Sequence, residues 1–185
     1  STGALVASID VTESAITSLS FAARQLVVGT ADGVVRPYDI RSGVAAKPLV
    51  CPAPSAIHAL ACCPSGARFV SGSADGVLRF WAGESGVREF VFLGQGGPVR
   101  VAAVSSDGRW VISGSDEGRI RFWNSARGRL VSVLEGHRGP ITALAWSPDG
   151  TSIVSGSSDG TVRLWRRPST ESASDISNSA SRRPR

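Results

Sequence analysis

The chain has 185 residues, 42% of them hydrophobic and 19% charged, a balance that suits one packed domain and excludes an intrinsically disordered chain. No apolar run approaches the roughly 20 residues that a membrane span needs. Net charge is +5, but the last twenty residues hold five Arg against Glu171 and Asp175; the body, with 15 basic and 13 acidic residues, is only +2, too little to argue nucleic-acid binding.

Taken in order, residues 3–9 (GALVASI) form a first strand that aligns with residues 128–134 (GRLVSVL). A three-stranded meander follows at 16–21, 25–30 and 34–38, without the Pro-Asp-Gly turn found in later repeats and two residues short there. The next outer strand lies around Leu49, among Pro48, Pro52 and Pro54. Proline cannot donate to a ladder, so that strand is short and sits at an edge. Its meander spans 57–62, 67–73 and 77–81. A third set covers 87–93, 99–104, 109–115 and 119–123. The fourth covers 128–134, 141–146, 151–157 and 161–165, and shows the pattern best. There Ser147-Pro148-Asp149-Gly150 is a turn with Pro at its second position. Ser158-Asp159-Gly160 reads as a tight primed hairpin turn, which needs positive φ at both central residues. Residues 168–185 are rich in Ser and Arg and are expected to be disordered.

The repeat is periodic. The hairpin glycines Gly33, Gly76, Gly118 and Gly160 recur at steps of 43, 42 and 42 residues. The closing aromatics Tyr38, Trp81, Trp123 and Trp165 keep the same step, as do Arg36, Arg79, Arg121 and Arg163. A fixed period of this length, with about four strands per unit, is the signature of propeller blades. With Gly136-His137 opening the unit and an aromatic closing it, the chain resembles the WD-repeat family over residues 3–165. Repeat 4 matches strongly, repeats 2 and 3 well, and repeat 1 is degenerate.

The expected fold is therefore all-β, a β-propeller of four WD-type four-stranded blades within residues 1–167. The blades span 3–38, 43–81, 86–123 and 128–165, and residues 168–185 form the tail. Family members usually close a ring of about seven blades. Four blades in an open arc would leave apolar faces and a strand edge uncovered at blades 1 and 4. Three closures follow. Further blades lie upstream, as the absence of Met suggests; two copies pair into an eight-bladed ring; or residues 4–8 complete the sheet of residues 162–165. They are ranked in that order.

The resemblance implies that His137, Ser155, Asp159 and Trp165 form a structural tetrad, running from the loop histidine through Ser and Asp to the indole N–H. Partial sets recur as Ser71, Asp75 and Trp81, as Ser113, Glu117 and Trp123, and as Asp32 with Tyr38, where Val28 replaces the serine. A Ser/His/Asp hydrolase triad is the competing reading, disfavoured because parts of the set recur without the histidine. Gly156-Ser157-Ser158-Asp159-Gly160 matches G-x-S-x-G only formally, since a nucleophile elbow needs a following helix. His58 lacks spaced ligands, and Cys51, Cys62 and Cys63 lack metal spacing. No metal, no cofactor and no catalytic residue is expected. The cysteines read as buried or half-buried thiols of a reducing compartment, hence an intracellular protein, cytoplasmic or nuclear.

The resemblance further implies a non-catalytic scaffold that binds a peptide or partner domain through loops on one face. Gln95, Asp116, Glu117, Arg138 and Ser158 are the candidate contacts. One alternative is a nucleic-acid or phosphate platform using the four strand arginines and the tail, marked by steep salt dependence. Another rests on Tyr38-Asp39-Ile40-Arg41, which resembles the box by which some WD-repeat substrate receptors contact the adaptor of a cullin-type ubiquitin ligase; there Arg41 is the contact residue. Arg166-Arg167-Pro168-Ser169 resembles a basophilic kinase site, and phosphorylation of Ser169 would add about two negative charges.

Overall fold

The computed structural model describes residues 8, 14–51, 55–83, 85–93 and 95–168. The expected first strand at 3–9, apart from Ser8, lies outside the described residues, as do Pro52, Pro54, Ser169 and the rest of the tail. Among the described residues the chain is all-β, with no helix.

Blade 1 comprises β1 (Ile16–Ala22), β2 (Gln25–Thr30), β3 (Val34–Asp39) and β4 (Leu49–Val50). Blade 2 comprises β5 (Ile57–Cys62), β6 (Arg68–Ser73), β7 (Leu78–Ala82) and β8 (Arg88–Phe92). Blade 3 comprises β9 (Val99–Val104), β10 (Trp110–Ser115), β11 (Ile120–Asn124) and β12 (Arg129–Leu134). Blade 4 comprises β13 (Ile141–Trp146), β14 (Ser152–Ser157) and β15 (Val162–Arg166). Every blade is an antiparallel meander with its strands in sequence order. The outer strand of each blade comes from the start of the next repeat. Blade 4 has three strands among the described residues instead of the expected four.

The strands alternate their side chains between the seam before and the seam after the blade. In blades 2 and 3 both faces are covered, which is why β6 and β10 are buried almost without interruption. Val27, Ile57, Phe69 and Trp81 fill the seam between blades 1 and 2. Val70, Phe80, Val99, Val111 and Trp123 fill the next. Ile112, Phe122, Ile141 and Ile153 fill the third. Every inner strand also carries a bulge at the same place, near Ile16, Ile57, Val99 and Ile141, which the sequence pattern did not announce.

The hairpins differ from the primed turns expected. In each tip the glycine N–H bonds back three residues, Gly160 to the Ser157 carbonyl at 3.1 Å and Gly76 to that of Ser73 at 3.1 Å. The glycine has positive φ (81° at Gly160), while the preceding Asp does not. The tip is thus a turn closed by one left-handed glycine. Its aspartate stays right-handed because its carboxylate accepts the N–H two residues on, as Asp159 does from Thr161 at 2.9 Å.

Candidate functional site

In blade 4, Ser155 on β14 and Trp165 on β15 point into the seam with blade 3, and the loop before β13 lowers His137 onto them. The Trp165 indole N–H donates to Ser155 Oγ at 2.8 Å. Ser155 Oγ lies 2.8 Å from His137 Nε2, and His137 Nδ1 lies 2.9 Å from Asp159 Oδ2. With a neutral imidazole, a carboxylate that only accepts and an indole that only donates set the proton order: indole to Ser, Ser to Nε2, Nδ1–H to Asp. The order is therefore Trp, Ser, His, Asp, with the histidine inside the chain and not at its end as expected. The reason is reach: Asp159 sits at the hairpin tip, beyond Ser155, and the imidazole spans the gap. Asp159 also accepts the Arg138 N–H at 2.9 Å and the Thr161 hydroxyl at 2.7 Å, so it ties the loop to the hairpin.

The Ser155–His137–Asp159 distances would suit a hydrolase triad. Ser155, however, is 0% exposed and its oxygen already receives the indole proton. No substrate carbonyl could reach it. Ser158, the formal G-x-S-x-G serine, stands on a tip between two strands.

Blades 1 to 3 use other parts. Trp123 donates to Ser113 at 2.9 Å, and Ser113 donates to Gln95 Oε1 at 3.0 Å. Gln95 thus occupies the histidine's place. It is fully buried, so it cannot be the partner-contacting loop residue that its polarity suggested, and its Nε2 finds no partner among the described residues. In blade 2, Trp81 donates to Ser71 at 2.9 Å. Asp75 and Glu117 do not join these chains as expected: they pair with the strand arginines. Arg79 meets Asp75 at 2.7 Å and Arg121 meets Glu117 at 3.1 Å. In blade 1, Asp32 accepts from the Thr30 hydroxyl, and Tyr38 is buried.

Those pairings account for two of the four strand arginines. Arg79 and Arg121 are buried, with their guanidinium groups bonded to hydroxyls, carboxylates and the Gln95 carbonyl, so neither is presented to a phosphate. A column of hydroxyls three places before each hairpin glycine (Thr30, Ser73, Ser115, Ser157) serves these networks and was missed. Its signal was available, since the hydroxyl occurs in all four repeats.

On the same end of the sheets the loops and tips are exposed. Asp116 holds Arg100 through two bonds of 2.7 and 3.0 Å. Arg119 bridges Glu117 and Glu135. Arg138 and Ser158 are exposed, and the Arg138 guanidinium has no ion pair among the described residues. At the other end Asp39 accepts the Arg41 and Ser42 N–H groups, which makes the stretch after Tyr38 an ordinary capped turn with Arg41 exposed. A surface cavity there is lined by Ala22, Gln25, Tyr38, Asp39, Ala67 and Gly83, and no tetrad residue reaches it. The three thiols are free, and burial pushes each of them up, away from the reactive thiolate. Among the described residues no three His, Cys, Asp or Glu side chains gather at a metal-binding distance, and no helix is long and apolar enough to cross a membrane.

The tip carboxylates titrate low. The Thr161 hydroxyl, the Arg138 N–H and His137 hold Asp159 well below the usual carboxylate range. The Ser147 hydroxyl and the Thr151 N–H and hydroxyl hold Asp149 down to about 2. Burial opposes ionisation of Asp75, but Arg79 and Ser73 outweigh it and keep that carboxyl low as well. A depressed folded value stabilises fully above the unfolded value of about 3.9 and is lost as pH falls through the folded one. Asp149 therefore loses its contribution between about 3.9 and about 2. Carboxyl-carbon NMR should show its midpoint near 2, moving up in Ser147→Ala; a midpoint at the ordinary value would refute the assignment.

Comparison with known proteins agrees with this architecture. The family model described as "WD domain, G-beta repeat" matches residues 48–82, 86–124 and 128–166. Among solved structures, the crystal structure of the computationally designed Ika4 protein is similar, with 30% sequence identity and a TM-score of 0.79 over 90% of this chain and 100% of that one. A search of curated proteins found no match.

Proposed function

The chain belongs to the WD-repeat family, whose repeats generally serve as protein-interaction scaffolds, and from that premise we propose that it binds a protein or peptide through the end of its blades that carries Glu117, Arg138 and Ser158. The observation that supports this most is the state of Arg138. Its backbone is held by Asp159, inside the tetrad, while its side chain is exposed and has no ion pair among the described residues. A charged group on a pinned backbone meets a partner at low entropic cost. The tetrad thereby acts as a positioning device for the recognition loop. Asp116 is already paired with Arg100 and Glu117 with Arg119, so Arg138 gives the surface its free positive charge and favours an acidic segment of the partner.

The test is crosslinked capture of partners by the wild-type chain and by Arg138→Glu, Ser158→Arg and Arg127→Glu. Arg127 is exposed at the opposite end, between β11 and β12. Arg138→Glu is expected to lose the captured protein about tenfold or more, matching the cost of inverting a contacting charge, and Ser158→Arg to weaken capture through the bulk it adds at the contact. Arg127→Glu should leave capture unchanged. Equal capture by all four would move the binding surface elsewhere. Recovery of nucleic acid with steep salt dependence would favour the phosphate reading instead.

A further inference from the structure

Each seam inside the chain is built around one knob and one socket. The first residue of an inner strand presses its branched side chain onto a glycine in the middle strand of the preceding blade. Ile57 sits on Gly29, Val99 on Gly72 and Ile141 on Gly114. A Cβ at those glycines would lie 2.6, 2.4 and 2.6 Å from the knob, so no larger residue fits without displacing it. All three knobs are fully buried.

The repeat supplies a fourth knob and a fourth socket, and the two are left apart. Ile16 has the same register as Ile57, Val99 and Ile141, yet it is 50% exposed. Gly156 has the register of Gly72 and Gly114, but a Cβ there would meet only Ala143 and Thr142 of its own blade, at 3.5 and 3.9 Å. The surrounding positions agree. Val154, Val162 and Leu164 are exposed, while their counterparts Val70, Leu78, Phe80, Ile112, Ile120 and Phe122 are buried. On the blade 1 side, Leu19 and Phe21 are exposed as well.

We propose that two copies of this chain close head to tail, with Ile16 of each copy seated in the Gly156 socket of the other, to form an eight-bladed ring. One chain carries both halves of the seam, unpaired, so a single twofold operation satisfies both. A covering element has to present a knob face and a socket face at once: a second copy does so with residues of this chain, and further blades upstream, which would do so too, would leave this chain without a discrete twofold mass. The contact is the one already made three times within the chain, and eight blades lie within the range that propellers close. The ring is independent of which partner the loops bind.

The experiment is light scattering of the full chain with Ile16→Arg, Gly156→Leu, and an equimolar mixture of the two. Wild type should have twice the chain mass, and each variant alone should have the monomer mass. In the mixture the Ile16 of one variant meets the Gly156 of the other, so one native seam returns and dimer reappears. A monomeric wild type would overturn the proposal, as would open-ended assemblies. So would Gly156→Leu remaining dimeric, which would mark a blade 1 to blade 1 contact. Both sites are open in the single chain, so the variants should keep a cooperative melt. Should Ile16→Arg lose it, Leu164→Arg on the exposed blade 4 face takes the same reading in a mixture with Gly156-intact, Ile16-intact wild type: excess variant must then cap rather than close the ring.

Discussion

Phe122→Ala is expected to lower the unfolding free energy by about 3–5 kcal/mol, the cost of removing a fully buried aromatic ring. Phe122 lies 4.9 Å from the ring of Trp110, stacked within its own blade, and 5.8 Å from that of Trp146 across the seam. It is packed with Ile112, Ile120, Ile141 and Ile153. Alanine would leave a void between two sheets that cannot approach, because Ile141 already rests against the Gly114 backbone. For a chain of this size the loss corresponds to a melting shift on the order of 10 °C. The control is Leu164→Ala. Leu164 occupies the equivalent place in blade 4 but is 76% exposed, so its truncation should change the stability of the single chain by less than about 0.5 kcal/mol. Urea unfolding followed by far-ultraviolet circular dichroism measures both in the Ile16→Arg background, which holds the protein as the single chain. Similar midpoints for the two variants would mean that the third seam is not packed as described.

Ser155→Ala is expected to cost about 2–4 kcal/mol, although it removes a single oxygen. That oxygen accepts from Trp165 and donates to His137, so its loss leaves an indole donor and an imidazole acceptor unpaired in a site closed to water. Ser71→Ala should cost less, because among the described side chains only the Trp81 indole loses its partner. Stability alone does not separate a relay from a buried serine of ordinary importance. Amide exchange does. Without Ser155 the histidine loses its hold, Asp159 loses one tie to the loop, and the Arg138 amide should exchange faster. Exchange there that stays as slow as in wild type would show that Asp159 fixes the loop without the histidine.

The tetrad residues were an expectation from the family resemblance, since only the serine and the closing aromatic recur in repeats 2 to 4 and the histidine occurs once. Their order was not legible. The positions of His137 and Asp159 along the chain do not say which stands nearer Ser155, and that depends on how far the hairpin tip projects. Gln95 was misread for a related reason. A polar residue between glycines suggests an exposed loop, yet the loop folds inward to supply the bond that a histidine supplies in blade 4. Asp75 and Glu117 were placed in the wrong network because the sequence shows two available partners, serine and arginine. Only distance chooses, and the arginine four places on is the one within reach.

By itself the sequence determined the repeat, its period, and strands within about a residue of those observed, because alternation of side chains and glycine turns are local properties of the backbone. It also determined the family. What only the tertiary structure decided is which equivalent positions are equivalent in energy. Leu164 and Phe122 stand at one place in the repeat, yet one faces solvent and the other faces a sheet. Burial is a property of the neighbour, and the order of residues does not state whether a neighbour exists. The same reason separates Gly156 from Gly72 and Gly114. All three are extended glycines in a middle strand, and only the presence of a knob turns two of them into filled sockets.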